Sequence, residues 1–114
     1  MRSEPTFVVL TDILRNIDLA RSFVEGLSYE DFLADTRTVY ATTRCLEIIS
    51  EASRRLPNDL KSRHPNIPWP DIAGAGNIYR HNYEDILEQL LWQTIHHALV
   101  PLRAAIVAEI TTHS

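Results

Sequence analysis

Apolar residues recur every three or four positions along most of this 114-residue chain, and that period constrains the fold more than any other feature. Between Pro5 and Gly26 the series Phe7, Leu10, Leu14, Ile17 and Val24 keeps the spacing. Val9 and Ile13 widen the stripe, so a first helix is expected to end at Gly26. Ser28 and Asp31 have the spacing of a capping box opening a short helical turn, Tyr29 to Ala34, and Asp35 is placed to cap the next helix. Val39, Thr42, Leu46, Ile49 and Leu56, reinforced by Cys45 and Ile48, predict a second long helix from about Thr36 to Leu56, stopped at Pro57.

Four of the six prolines fall between Pro57 and Pro70, a stretch able to support little more than one helical turn, around Asn58 to Arg63. It reads as an ordered connector. Pro70 suits the first turn of a helix running to about Tyr83, although Gly74 and Gly76 weaken that helix by roughly 1 kcal/mol each relative to Ala. The last helix is expected from near Asp85, carrying Ile86, Leu87, Leu90, Leu91, Ile95, Ala98, Leu99, Leu102 and Ile106, with a kink at Pro101. No segment alternates like a strand and none repeats. The predicted class is therefore all-α, an antiparallel bundle of four or five helices in one domain spanning 1–114.

Composition narrows what such a bundle can do. A formal net charge of −4 argues against a broad electrostatic grip on nucleic acid, so any RNA must be held locally or on a dimer surface. The single Cys45 excludes an intramolecular disulfide and, within an apolar helical pattern, reads as a buried thiol. The first residues lack the apolar stretch of a secretory signal, and no window approaches the run of about 18 apolar residues needed to cross a bilayer. A cytoplasmic protein is expected.

The densest cluster of unusual polar residues is Gly76-Asn77-Ile78-Tyr79-Arg80-His81-Asn82-Tyr83-Glu84-Asp85. On a helix, Asn77 and His81 are four apart and Arg80 and Glu84 flank them within a turn, so amide, guanidinium, imidazole and carboxylate share a face. Histidine can exchange a proton with a ribose 2′-hydroxyl or a leaving oxygen near neutral pH, and an adjacent arginine can stabilise charge developing on phosphorus. Asn77 could orient the phosphate or the imidazole, and Tyr83 could donate a hydrogen bond or stack on a base. The same spacing also fits a helix end with a capping histidine and a solvated arginine.

Other polar residues give less. His96 and His97 point about 100° apart on a helix, so they do not chelate one metal, and one of them is expected to be buried and hydrogen-bonded. His64 and His113 have no partner at a ligand spacing; no metal site and no cofactor are expected. Arg44, Glu47 and Glu51 fall at spacings of three and four, giving an intrahelical ion pair or polar seam, or else Glu47 or Glu51 orients His81 or Arg80. Trp69 and Trp92 read as core or interface anchors.

Three segments carry a family resemblance. Arg44-Cys45-Leu46-Glu47-Ile48-Ile49-Ser50-Glu51-Ala52 resembles the central helix of the HepT-like proteins of the HEPN superfamily, and His64-Pro65-Asn66-Ile67-Pro68-Trp69 resembles their proline–tryptophan connector. Ile72-Ala73-Gly74 resembles the lead into their active motif, which runs Arg, four to six residues, His, one residue, Tyr, commonly with Asn after the Arg. Asn77, His81 and Tyr83 fall on the motif's Asn, His and Tyr, whereas Gly76 occupies the place of the Arg and an arginine stands instead at Arg80. Either Arg80 supplies the guanidinium from the next turn, or the residue that binds the scissile phosphate has been lost.

The resemblance implies an HEPN-like bundle acting as a metal-independent endoribonuclease toxin whose two motifs line one cleft of a homodimer. In these terms His81 is acid/base, Arg80 binds phosphate and Asn77 gives polar support. It also implies a minimal nucleotidyltransferase antitoxin that silences the toxin by binding it or by transferring AMP to Tyr83. The competing expectation is a HEPN module that complexes a nucleotidyltransferase without cutting RNA. A helical scaffold with no small ligand is the third.

Overall fold

The computed structural model of the chain describes residues 4–81 and 84–113, with side chains for 5–79 and 87–112. Every regular element among the described residues is helical. They are α1 (Glu4–Val24), α2 (Tyr29–Ala34), α3 (Thr36–Ser53), α4 (Asn58–Ser62), α5 (Trp69–His81), α6 (Glu84–Gln93), a π turn (Thr94–Ala98) and α7 (Leu99–His113). Since α6, the π turn and α7 run on without a break, the bundle has four long members, α1, α3, α5 and α6–α7, as the apolar period predicts.

The core stripe of α1 is Leu10, Ile13, Ile17, Ala20 and Val24, all at most 4% exposed. Phe7, counted in the sequence stripe, stands at its edge and is 40% exposed. Gly26 ends the helix with φ +78°, a left-handed conformation that glycine adopts at little cost. The Ser28 box is present in both directions: the Asp31 N–H donates to Ser28 Oγ at 3.1 Å and the Ser28 N–H to Asp31 Oδ2 at 3.2 Å. Asp35 caps α3, accepting from the Thr38 N–H at 3.2 Å and its hydroxyl at 2.7 Å. That hydroxyl bond holds the Asp35 carboxyl below its usual range.

Helix α3 stops at Ser53, three residues short of the expected Leu56. Pro57 disfavours helical geometry at the residue before it, and the last turn tightens into Arg54→Glu51, Arg55→Ala52 and Leu56→Ser53 backbone bonds. Leu56 is still buried. In the last helix the irregularity falls one turn ahead of Pro101, where the Leu99 N–H bonds back to Thr94 O across the wider π ring. A proline crowds the carbonyl four residues before it, here that of His97, so the preceding turn is where the ladder gives way.

Helix α3 is the hub, packing on α1, α2, α5 and α6, while α7 closes on α1. The connector is ordered around Leu60, Ile67 and Trp69, and the Trp69 indole donates to Lys61 O at 3.2 Å and His64 O at 3.1 Å. It is fastened to α7 through Glu109, whose side chain is 5% exposed. The carboxylate accepts Arg63 Nη2 at 2.7 Å and Nε at 3.1 Å, with His64 Nε2 2.7 Å away. The sequence could not show this partner for His64, since the two residues stand 45 positions apart. Cys45 is buried as expected, and desolvation raises its thiol pKa.

Candidate functional site

The polar cluster lies at the end of α5 and the start of α6. Helix α5 starts with Trp69 in its first turn, the Ile72 N–H bonding back to Pro68 O at 3.1 Å. Burial follows one face: Trp69, Gly76 and Tyr79 are turned inward, while Asn77 and Ile78 are exposed. Asn77 stands outside that buried face, and the backbone position of His81, four residues on, falls on the same side by helical spacing. The side chains of Arg80 and His81 lie outside the described residues, as do Asn82 and Tyr83 altogether. The expected roles of Arg80, His81 and Tyr83 therefore remain readings of the sequence.

Polar contacts with the π turn and with α3 help to hold α5 in place. The Tyr79 ring is buried, its hydroxyl is hydrogen-bonded to Thr94 on the π turn, and burial raises its pKa. On the α3 side, Ser50 Oγ donates to Ala73 O at 2.9 Å and accepts from the Gly76 N–H at 3.0 Å. Arg54 adds Nε at 3.2 Å and Nη2 at 2.8 Å to the same carbonyl. Since Ser50 and Arg54 on α3 meet Ala73 and Gly76 with numbering that falls on one helix as it rises on the other, the pair is antiparallel.

These contacts give Gly76 the reason that its helix-weakening lacked. Its backbone comes against Ser50 and buries an N–H that is satisfied across the interface. Position 76, where the resemblance expects an arginine, is thus on the buried side facing α3. Nothing in the structure explains Gly74, where an added Cβ would meet open space.

The two acidic candidates on α3 separate. Glu51 forms an intrahelical ion pair with Arg55 at 3.9 Å, both side chains being more than half exposed. Glu47 is half-buried and shares, by helical spacing, the stripe of Ser50 and Arg54 that faces α5. In the antiparallel register it lies one turn from Ser50 toward the motif end of α5.

Trp69 is core, whereas Trp92 is half-buried in an aromatic group, its ring centroid 5.6 Å from Tyr29, 5.3 Å from Phe32 and 4.0 Å from His96. His96 and His97 are both exposed, contrary to the expected burial of one. His96 keeps a hydrogen bond, its Nδ1 lying 2.8 Å from Trp92 O, and since a carbonyl only accepts, Nδ1 carries the proton. An apolar groove of about 520 Å³ runs between α3, α5 and α7, lined among others by Leu46, Ile49, Ala75, Ile78, Leu99 and Leu102.

Comparison with known proteins bears on what this arrangement serves. A family model described as "Ribonuclease HepT-like" matches residues 13–109, from the first buried stripe of α1 to Glu109. The chain belongs to the HepT-like family. Its relatives include a protein of Thermococcus cleftensis named "Probable ribonuclease HepT", 42% identical over 86 residues, covering 75% of this chain and 78% of that one. A protein of Methanocaldococcus jannaschii named "Putative RNase MJ1380" is 38% identical over 86 residues, covering 75% and 79%. No solved structure matches.

For a HepT-like chain, what the sequence left unread is the way the motif helix is held. Gly76 was visible as a costly glycine and Ser50 only within the segment that carries the resemblance; the packing shows that each is the other's partner. Tyr79 read as part of the polar cluster and is instead an inward anchor. No helix among the described residues is long and apolar enough to cross a membrane.

Proposed function

We propose that this HepT-like chain is an endoribonuclease toxin that cuts RNA without a metal ion. In this reading His81 is the acid/base, taking the 2′-hydroxyl proton and returning one to the departing 5′-oxygen. Arg80 binds the scissile phosphate and stabilises its transition-state charge, and Asn77 supports the site. The observation that carries the reading is the build of α5: its buried face is occupied by Trp69, Gly76 and Tyr79, which leaves the Asn77 side of the helix, continuing toward His81, for a ligand. Family membership and the relatives' names supply the RNA.

Two motifs meeting across a homodimer, and silencing in the cytoplasm by a minimal nucleotidyltransferase that binds the toxin or transfers AMP to Tyr83, complete the proposal. They rest on the family resemblance. An AMP on Tyr83 would place negative charge and bulk at a site that has to admit an RNA phosphate. Glu47, on the α5-facing stripe, is the better placed of the two acidic residues to support the site.

One observation favours a second reading. Position 76 is a buried glycine engaged by Ser50, so no arginine acts from there, and a chain in which Arg80 does not substitute would be a binding module that complexes the nucleotidyltransferase without cutting. Incubating purified chain with a mixed tRNA and messenger pool separates the two. Cleavage that disappears in a folded His81→Ala variant supports the toxin, and intact RNA with the complex still forming supports the module.

A further inference from the structure

Ser50 and Arg54 join α3 to α5 through polar contacts at one level. Ser50 is 3% exposed, and its hydroxyl is engaged twice, donating to Ala73 O and accepting from the Gly76 N–H. Arg54, one turn along α3, places two more donors on Ala73 O. Ala73 O is thus a shared anchor that takes donors from both Ser50 and Arg54. Gly76 presents its N–H to the hydroxyl with no side chain of its own at that position.

A hydroxyl that reads an acceptor and a donor three residues apart fixes two degrees of freedom. Sliding α5 by a residue, or turning it about its axis, separates Ser50 from one group or the other. Tyr79, on the same buried face, is hydrogen-bonded to Thr94 on the π turn. The clamp acts on the turn that leads into Asn77 and ends at His81.

We propose that Ser50 and Arg54 are positioning residues, setting the rotation and axial level of α5 and so the geometry of the Asn77–His81 turn, without themselves touching RNA. The proposal deepens the ribonuclease reading and rests on it for its activity readout. Single-turnover cleavage is measured for the full chain, Ser50→Ala, Ser50→Thr and Arg54→Ala across RNA concentrations, alongside the NMR resonances of the His81 ring. Arg54 is exposed, so its variant tests the clamp where Ser50→Ala loses fold.

The expected result is a fall of about ten- to hundredfold in the rate at saturating RNA, with the half-saturating RNA concentration unchanged. Displaced His81 ring resonances accompany it, and Ser50→Thr, which returns the hydroxyl, recovers part of the rate. Because both residues hold one carbonyl, the double variant should lose less than the product of the single losses. Wild-type rates with unmoved His81 resonances in a folded Arg54→Ala overturn the proposal, as does a loss confined to the half-saturating concentration. If the unaltered chain cuts no RNA, the ribonuclease reading fails, and the His81 resonances decide alone: moved, the clamp stands; unmoved, it falls.

Discussion

Glu109 gives a stability test with an asymmetric outcome. Its carboxylate is 5% exposed and accepts two bonds from an Arg63 side chain that is 40% exposed, with the His64 ring at 2.7 Å. Changing Glu109→Gln removes the buried charge and lets the guanidinium return to water. What is lost is the charge-assisted part of the bonding, about 1–2 kcal/mol after the relief of desolvation. Changing Arg63→Met keeps the aliphatic stem and leaves the buried carboxylate with the His64 ring but without the guanidinium's two bonds, the more costly error because the partner left under-compensated is the buried one. At roughly 4–8 °C per kcal/mol, Glu109→Gln should lower Tm by about 4–16 °C, and Arg63→Met should lower it further. Thermal and urea unfolding followed by circular dichroism measure both. A Glu109→Gln loss equal to or greater than that of Arg63→Met refutes the reasoning, since it would mean that losing the guanidinium from beside the buried carboxylate costs no more than removing the charge itself.

The packing sets three further outcomes. Phe32, fully enclosed on the six-residue α2 and against Trp92, should cost about 3–5 kcal/mol when changed to Ala, whereas Leu33→Ala on the exposed side should cost under about 0.5 kcal/mol; urea unfolding compares them. Cys45 should resist alkylation by a soluble maleimide until the chain unfolds, because burial both shields the thiol and raises its pKa. The hydrogen-bonded Arg103 lowers the Asp18 pKa, so this pair stabilises the fold above the ordinary carboxylate range and ceases to do so as pH falls through the lowered value. Both side chains are more than a third exposed, which limits the contribution to under about 1 kcal/mol, and the Tm difference between wild type and Asp18→Asn should be present at neutral pH and vanish in acid.

Much of the bundle was legible because its helices announce themselves twice, by period and by caps. Ser28 and Asp35 cap where their spacing says, and Gly26 takes the left-handed turn expected after α1. The misreadings have local causes. Phe7 matched the spacing but not the face that α3 covers, Leu56 matched the stripe but preceded a proline, and the strain expected at Pro101 was taken up one turn earlier. The contacts that hold the candidate site and the connector, Ser50 to Gly76 and His64 to Glu109, join residues 26 and 45 positions apart, and no periodicity reports such pairs. The motif residues stood out first as the chain's densest polar cluster, with the resemblance adding a family pattern, and the buried Gly76 sharpens the question that the resemblance left: whether Arg80 takes the arginine's place.

That question is answered by cleavage of a mixed tRNA and messenger pool in the presence of a chelator, comparing wild type with Arg80→Ala and His81→Ala, each checked for fold. Wild type is expected to cut and both variants to fail. Intact RNA with wild type, or undiminished cutting by a folded Arg80→Ala, would contradict a toxin that relies on Arg80.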